Sequence, residues 1–150
     1  MIMGVQVKEI KKRFDSRGFL AEIMKEDEYC FIDVKQTTVT ETYPGIIKAF
    51  HWHRYQTDVW FIAKGIAQVV LFDLRKDSLT YRETQELIVG EDNPRLILIP
   101  PRVAHGYKVL GNKPVLLFYH TDKPYNPRNP DEGRISLNDP FIGFQWNLNS

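Results

Sequence analysis

Short apolar segments separated by turn residues recur along the whole chain, and this pattern constrains the fold more than any other feature. Segments of about five to eight residues, rich in Val, Ile, Phe, Tyr and Thr, end at breaks such as Tyr43-Pro44-Gly45 and Lys64-Gly65. Glycine supplies a positive φ at such breaks, and proline removes a backbone donor. The predicted strands are Phe19–Met24, Val34–Thr42, Ile46–Trp52, Val59–Ala63, Ala67–Asp73, Glu86–Val89, Arg95–Ile99, Gly106–Leu110 and Val115–His120.

This succession of strands predicts an all-β fold, because no segment has the pattern of a helix longer than a turn or two. A chain of 150 residues fits one domain, here residues 1–150. Antiparallel strands of this length close most readily into a jelly-roll β-barrel, whose interior can hold a ligand. The C-terminal stretch LNDPFIGFQWNL contains enough aromatic residues to dock back onto that barrel.

The charge and composition exclude several classes of protein. Twenty Lys and Arg residues against nineteen Asp and Glu residues give a net charge of +1, which predicts no nucleic-acid partner and no binding to anionic membranes. No apolar run approaches the roughly 18 residues needed to span a bilayer. The single cysteine, Cys30, cannot form an internal disulfide, and the N-terminal segment lacks the apolar region of a secretory signal. We therefore expect a cytoplasmic location.

Three of the four histidines, His51, His53 and His105, fall at the ends of predicted strands beside other polar residues. Because strand side chains alternate, His51 and His53 are expected on one face of their strand and Lys48 on the opposite face. A histidine considered alone is more often a hydrogen-bonded core or rim residue. If the shared face lines the barrel, however, both imidazoles point into one cavity.

The spacing of these histidines matches two consecutive motifs. They are Gly45-x5-His51-x-His53-x4-Asp58-x6-Gly65 and Ile99-Pro100-Pro101-Arg102-Val103-Ala104-His105. Their spacing resembles the cupin superfamily, and this resemblance implies a cupin-type jelly-roll β-barrel. In metal-dependent cupins these positions bind a divalent ion, which gives an alternative ligand set of His51, His53, Asp58 and His105. Arg102 and Val109 stand where a glycine and an asparagine are usual, so the spacing supports the barrel more strongly than the metal.

A further series of short motifs runs in order between residues 14 and 146. They are Asp15-Ser-Arg17-Gly18-Phe19-Leu-Ala-Glu22, Gly45-Ile-Ile-Lys48-Ala-Phe-His51, Asp73-Leu-Arg75-Lys-Asp-Ser78, Ile99-Pro100 with Ala104-His105-Gly106, Phe118-Tyr119, Tyr125-Asn-Pro127 and Asn138-Asp139-Pro140. Several of these motifs usually mark only a turn. Their order and spacing together resemble the dTDP-4-dehydrorhamnose 3,5-epimerase family, and the chain is identified as a short member of it.

The resemblance implies an epimerase that acts on a nucleoside-diphosphate 4-keto-6-deoxy sugar. A ketone at C4 acidifies the hydrogens on C3 and C5, so inversion needs a base on one face, stabilisation of the enolate and an acid on the opposite face. By resemblance, His51 is the base, Asp139 is its carboxylate partner and Tyr119 is the acid. An imidazole suits the base because it titrates near neutral pH. Without the resemblance, Tyr119 would equally be a tyrosine at the mouth of the barrel.

The same resemblance implies a nucleotide-sugar partner, dTDP-linked, and a homodimer whose N-terminal strands cross to the second subunit. Arg17, Lys48 and His105 would meet the diphosphate, whereas Glu22 and Gln36 would contact a pyrimidine edge or a sugar hydroxyl. No cofactor and no metal are expected. The implied substrate-binding residues are Arg17, Glu22, Gln36, Lys48, His53, Gln56, His105 and Tyr125.

The chain also departs from the family pattern. The segment Gln56-Thr57-Asp58 lacks the lysine that the family carries after the catalytic histidine, and Lys48 replaces an arginine. Either another cation compensates for the lysine, or the reaction is narrower than a double epimerisation. Two other functions stay open: a metal-dependent cupin oxygenase or isomerase, and a non-catalytic cupin that only binds sugar.

Overall fold

The computed structural model describes residues 1–146, which form two five-stranded antiparallel sheets and a separate two-stranded hairpin. The first sheet has the strand order β1-β9-β6-β11-β4, the second has the order β12-β5-β10-β7-β8, and β2 pairs with β3. The strands are β1 (Gln6–Glu9), β2 (Arg13–Asp15), β3 (Gly18–Leu20), β4 (Gln36–Thr42), β5 (Ile47–Trp52), β6 (Asp58–Lys64), β7 (Ile66–Asp73), β8 (Thr84–Gly90), β9 (Arg95–Ile99), β10 (Val103–Leu110), β11 (Val115–Thr121) and β12 (Gly133–Arg134).

The all-β prediction is confirmed, and the sheets have the jelly-roll arrangement expected of a cupin. The two sheets are not closed into a continuous barrel, however, since within residues 1–146 each keeps its own ladder of hydrogen bonds. None of these residues forms a helix long and apolar enough to cross a membrane.

The central strands lie where the sequence predicts them, but the strands near the two chain ends differ. The predicted strand Phe19–Met24 is extended only as far as Leu20, the end of β3. β1 was not predicted because its sequence QVKE is polar, and it forms by pairing with β9. β12 has only two residues and exists because it pairs with the end of β5. Pairing with a distant strand therefore overrides weak local preference.

Apolar and polar residues are separated along the inward face of the two sheets, and this separation creates a cavity. On β6, Ile62 belongs to the buried core, whereas Asp58 lies at the opposite end of the strand and faces the cavity. On β11, Val115 is fully buried in the same core, and Thr121 lines the cavity. Burial of the apolar end stabilises the pair of sheets, and the polar end is left open for a ligand.

A shift in register on β5 corrects one expectation. His105 pairs with His51 and Tyr107 pairs with Lys48, so one strand has one residue more than the other between these pairs. The extra residue turns Lys48 onto the face of His51, and the prediction that Lys48 lies on the opposite face is wrong. Gly106 makes the shift possible, because a Cβ there would lie 2.4 Å from the Cβ of Ala49.

The C-terminal stretch docks onto the second sheet as far as the structure describes it. The ring of Trp146 lies 5.7 Å from that of Phe50 and 4.8 Å from that of Phe144. Trp146 Nε1 also donates a hydrogen bond to the carbonyl oxygen of Leu137 at 3.1 Å. The predicted docking is therefore confirmed up to Trp146, and the end of the LNDPFIGFQWNL stretch, from residue 147, lies outside the described residues.

Candidate active site

A cavity of about 500 Å³ opens between the polar ends of the two sheets. Its size suits a small-molecule ligand. Strands from both sheets and the segment after β11 contribute to its wall. The lining residues are Gln36, Thr38, Thr40, Lys48, His51, His53, Gln56, Asp58, Trp60, His105, Tyr107, Leu117, Tyr119, Thr121, Lys123, Pro124, Tyr125, Asn126, Asn129, Asp131 and Glu132.

His51 is paired with a carboxylate at the edge of this cavity. Its Nδ1 lies 2.8 Å from Oε1 of Glu132, and about a third of the His51 side chain is exposed. β12 delivers Glu132, because Gly133 pairs with Trp52 and Arg134 pairs with His51. Burial raises the pKa of Glu132, but His51 and Arg134, whose Nε lies 3.5 Å from the same oxygen, together outweigh burial and leave that pKa below its ordinary value. The ionised carboxylate therefore fixes the orientation of the imidazole.

The structure corrects the predicted partner of His51. Asp139 is outside the cavity, and its Oδ1 accepts a hydrogen bond from the amide of Phe141 at 2.8 Å. The Asp139 amide in turn donates to the carbonyl of Ser136 at 3.1 Å, so this aspartate closes a turn. Glu132 occupies the place that the sequence interpretation gave to Asp139.

Asp131, next to Glu132, fastens the segment after β11 to the loop between β5 and β6. Its Oδ1 accepts the amide of Arg54 at 2.7 Å, and its Oδ2 accepts the amides of Tyr55 and Gln56 at 2.9 and 3.0 Å. Burial raises the pKa of Asp131, but these three donors outweigh burial, so its pKa lies below the ordinary value. Asp131 thus holds the neighbouring Glu132 and one cavity wall in place.

His53, His105 and Asp58 form a buried cluster in the cavity lining. The Nε2 atoms of His53 and His105 lie 3.6 and 3.8 Å from Oδ2 of Asp58. Burial lowers the pKa of His105 to about 4, so this imidazole is neutral at pH 7. Burial also lowers the pKa of His53, but Asp58 and Asp131 together outweigh burial and the pKa lies above its ordinary value. Asp58 keeps a pKa below its ordinary value because the histidines outweigh its burial.

The other predicted residues of the cavity have identifiable contacts. Gln36 Oε1 accepts the amide of Tyr125 at 2.7 Å, which ties β4 to the segment after β11. Lys48 Nζ donates to Oγ1 of Thr40 at 3.3 Å. Tyr119 lies on β11, in the sheet opposite the one that carries His51, and it lines the same cavity. The structure therefore brings together most of the predicted site.

Two predicted binding residues lie outside the cavity of the single chain. Arg17 is in the turn between β2 and β3, where its Nη2 contacts Oδ2 of Asp15 at 2.6 Å and 87% of its side chain is exposed. Glu22 is exposed and lies 3.8 Å from Nζ of Lys25. Their predicted role requires a second copy of the chain.

Asp131 and Glu132 are the functional residues that sequence reasoning missed. They lie in a proline- and asparagine-rich segment, which the sequence pattern indicates only as a loop. Their partners, His53 and His51, lie 78 and 81 positions away. The adjacent acidic residues at the end of that loop, immediately before a glycine, were the only local signal.

The fold and the cavity define a class of protein, the cupin-fold sugar isomerases. A solved dTDP sugar isomerase from Desulfovibrio desulfuricans superimposes with a TM-score of 0.90 at 29% identity, over 97% of this chain and 92% of the other. The family model of dTDP-4-dehydrorhamnose 3,5-epimerase matches residues 1–150. The chain belongs to this family, and it is an enzyme of the sugar-epimerase type.

Two curated relatives match nearly the full chain. The spore coat polysaccharide biosynthesis protein SpsL of Bacillus subtilis is 52% identical over 147 residues, which cover 98% of this chain and 97% of the relative. The probable low-salt glycan biosynthesis epimerase Agl13 of Haloferax volcanii is 36% identical over 151 residues, which cover 97% and 95%. Both are similar to this chain in length, so the chain is a short member of the family, as the sequence predicts.

Proposed function

We propose that this enzyme inverts a carbon next to the ketone of a nucleoside-diphosphate 4-keto-6-deoxy sugar, as part of polysaccharide biosynthesis. The observation that carries the proposal is the His51–Glu132 pair in a cavity that Tyr119 lines from the opposite sheet. Inversion requires a base and an acid on opposite faces of the sugar, because one group alone returns the proton to its original side. The names of the similar proteins, which include a dTDP sugar isomerase, support the substrate class.

In the proposed mechanism, His51 removes the proton next to the ketone. Glu132 fixes the tautomer of His51 and stabilises the imidazolium that forms. Tyr119 donates a proton to the opposite face of the enolate and leaves the carbon inverted. Lys48 and Lys123, both in the cavity lining, supply positive charge for the diphosphate.

We also propose that the enzyme works in the cytoplasm as a homodimer in which Arg17 and Glu22 serve the partner's cavity. The support is the exposure of the β2–β3 hairpin, where Phe14 and Leu20 are 73% and 61% exposed. Exposed apolar side chains of this size mark a surface for association. Light scattering coupled to gel filtration should give twice the mass of the chain. A monomeric mass would contradict this part of the proposal.

The mechanism is tested by proton NMR of a dTDP-linked 4-keto-6-deoxyhexose incubated with enzyme in D₂O. The wild type should give deuterated product of inverted configuration. Tyr119→Phe should still exchange the proton for deuterium but invert about 10²–10⁴-fold more slowly, because only the acid is lost. His51→Ala should give neither exchange nor inversion, with nucleotide binding still measurable.

Tyr55→Phe is the matched control, because Tyr55 is 65% exposed and outside the cavity lining. It should behave as the wild type. If Tyr119→Phe inverts as fast as the wild type, Tyr119 is not the acid. If exchange survives in His51→Ala, His51 is not the base.

A further inference from the structure

The cluster of His53, Asp58 and His105 has ligand atoms that converge on one point in the cavity lining. The backbone carbonyl of Asp131 faces Nδ1 of His53, and the carbonyl of Val103 faces Nδ1 of His105 at 3.0 Å. A carbonyl can only accept, so each neutral imidazole carries its proton on Nδ1 and directs the lone pair of Nε2 elsewhere. Both Nε2 atoms are directed toward the same oxygen, Oδ2 of Asp58.

The distances in this cluster suit a shared cation. One ligand atom from each of the three side chains lies within 4.8 Å of the others, and the two Nε2–Oδ2 distances are 3.6 and 3.8 Å. Ligands about 2.1 Å from one metal lie about 3.0–3.4 Å apart. Closing the cluster around an ion therefore needs only small movements of the side chains.

The surroundings of the cluster also match a metal site. Gln56 Nε2 donates to Oδ1 of Asp58 at 2.7 Å, and Trp60 Nε1 donates to Oδ2 at 3.2 Å. With the two carbonyls on the histidines, every member of the set is oriented by a hydrogen bond. Such outer contacts typically orient the ligands of metal centres.

We propose that His53, Asp58 and His105 form a three-ligand site for one divalent transition-metal ion. Two imidazole nitrogens and one carboxylate oxygen are a donor set suited to zinc, iron or cobalt. The inference goes beyond the proposed epimerase function and does not depend on it. It also reverses the expectation from sequence that no metal is bound.

His51 is not part of this site, although the spacing of the histidines made it a fourth candidate ligand. Its Nδ1 is paired with Glu132, and it is absent from the group of converging ligand atoms. The structure therefore divides the predicted four-residue set into a base with its own carboxylate and a separate set of three ligands. A cation held there would supply positive charge in the part of the chain where the family's lysine is missing.

The test is calorimetric titration of tag-free protein, stripped with a chelator and dialysed, with zinc chloride and with cobalt chloride. We expect saturable binding of one ion per chain, an increase in melting temperature and visible absorption bands from bound cobalt. His105→Ala and Asp58→Asn should abolish all three signals. His51→Ala should keep them, and so should the control His120→Ala, because His120 contacts only Thr37 by a side-chain hydrogen bond within the described residues.

Folding of each variant is checked by circular dichroism. If a ligand variant does not fold, Gln56→Ala replaces it, because it removes only the donor to Asp58 and should weaken binding roughly 10–100-fold. The proposal is overturned if the wild type takes up neither ion, as expected when a proton on His53 alone balances Asp58. It is also overturned if folded Asp58→Asn or Gln56→Ala binds as tightly as the wild type. Neither result affects the deuterium-exchange test of His51, so failure of the two proposals can be distinguished.

Discussion

Two buried aspartates at the ends of consecutive strands show how partners decide the role of a residue. Asp58 begins β6 and is 3% exposed, and Asp73 ends β7 and is fully buried. Asp73 is surrounded by donors: its oxygens accept from the side chains of Arg75, Ser78 and Thr80 at 2.6–2.9 Å. This satisfied carboxylate holds the connection between β7 and β8.

Asp58 has two side-chain donors, and the Nε2 atoms of two imidazoles, His53 and His105, also lie 3.6 and 3.8 Å from its Oδ2. The two aspartates are therefore similarly buried, but the groups around them differ. The Asp73 site has its charge balanced by the chain itself, which makes it a structural element. The Asp58 site lies in a cavity wall beside two imidazoles, an arrangement typical of functional sites. Substitutions near Asp73 should change stability, and substitutions around the cavity should change activity.

The largest effect is expected for substitution of Glu132, which lines the cavity. Glu132→Ala should lower kcat/KM by about 10²–10⁴-fold, because His51 loses the group that orients it as a base. The melting temperature should change little. Asp139→Ala is the control and should keep nearly full turnover in the same assay. Loss of turnover in Asp139→Ala alone would show that the sequence resemblance identified the right carboxylate and that the Glu132 pairing is incidental.

The complementary substitution is Asp73→Ala. It leaves the half-buried Arg75 and the hydroxyls of Ser78 and Thr80 without their carboxylate, and we expect a loss of about 3 kcal/mol in the free energy of unfolding. Urea denaturation measures this loss, and turnover per folded molecule should stay near the wild-type value. Asp77→Ala, in the same connection but with a 76% exposed side chain, should change stability by less than about 0.5 kcal/mol. Equal losses in the two variants would contradict the structural role of Asp73.

A smaller effect is expected for substitution of Asp131. It should change both stability and activity, because Asp131 holds one wall of the cavity in place. In Asp131→Asn one oxygen is replaced by an amide group that faces backbone donors, which costs about 1–2 kcal/mol. We expect KM to rise roughly 5–30-fold with a smaller change in kcat. Asp122→Asn is the control, because among residues 1–146 the Asp122 side chain accepts only the amide of Thr57. If kcat falls and KM is unchanged, Asp131 acts on His51 rather than on the cavity wall.

The smallest effect concerns pH. Burial raises the pKa of Asp73, but Arg75 and the other donors outweigh burial and hold that pKa well below its ordinary value of 3.8. A carboxylate with a lowered pKa contributes stability at neutral pH and loses that contribution as the pH falls, from about pH 5 downward. The wild type should therefore lose more stability between pH 7 and pH 3 than Asp73→Asn does, as measured by urea denaturation. Parallel pH curves would show that Asp73 does not contribute in this way.

The sequence predicted the inward-facing strands well, because their apolar runs and turn residues are local signals. The resemblance to cupins grouped His51 with His53, Asp58 and His105, and the structure brings the last three of these together. Two features could not be predicted from local sequence patterns. The face of Lys48 depends on the register shift opposite Gly106, and the partner of His51 depends on a segment 81 positions further along the chain. Both are decided by packing between distant parts of the molecule.

Asp131 and Glu132 lie late in the chain, so this wall of the cavity is completed late during synthesis. Both long sheets have all their strands except the two-residue β12 once residue 121 has been made. At that stage His51 is not yet paired with Glu132, and Asp131 has not yet bound the amides of the loop between β5 and β6. A growing chain can therefore complete most of the two sheets before His51 has a carboxylate partner. If His51 is the base, as proposed, turnover should begin only after residues 122–134 have been made and Glu132 has paired with His51.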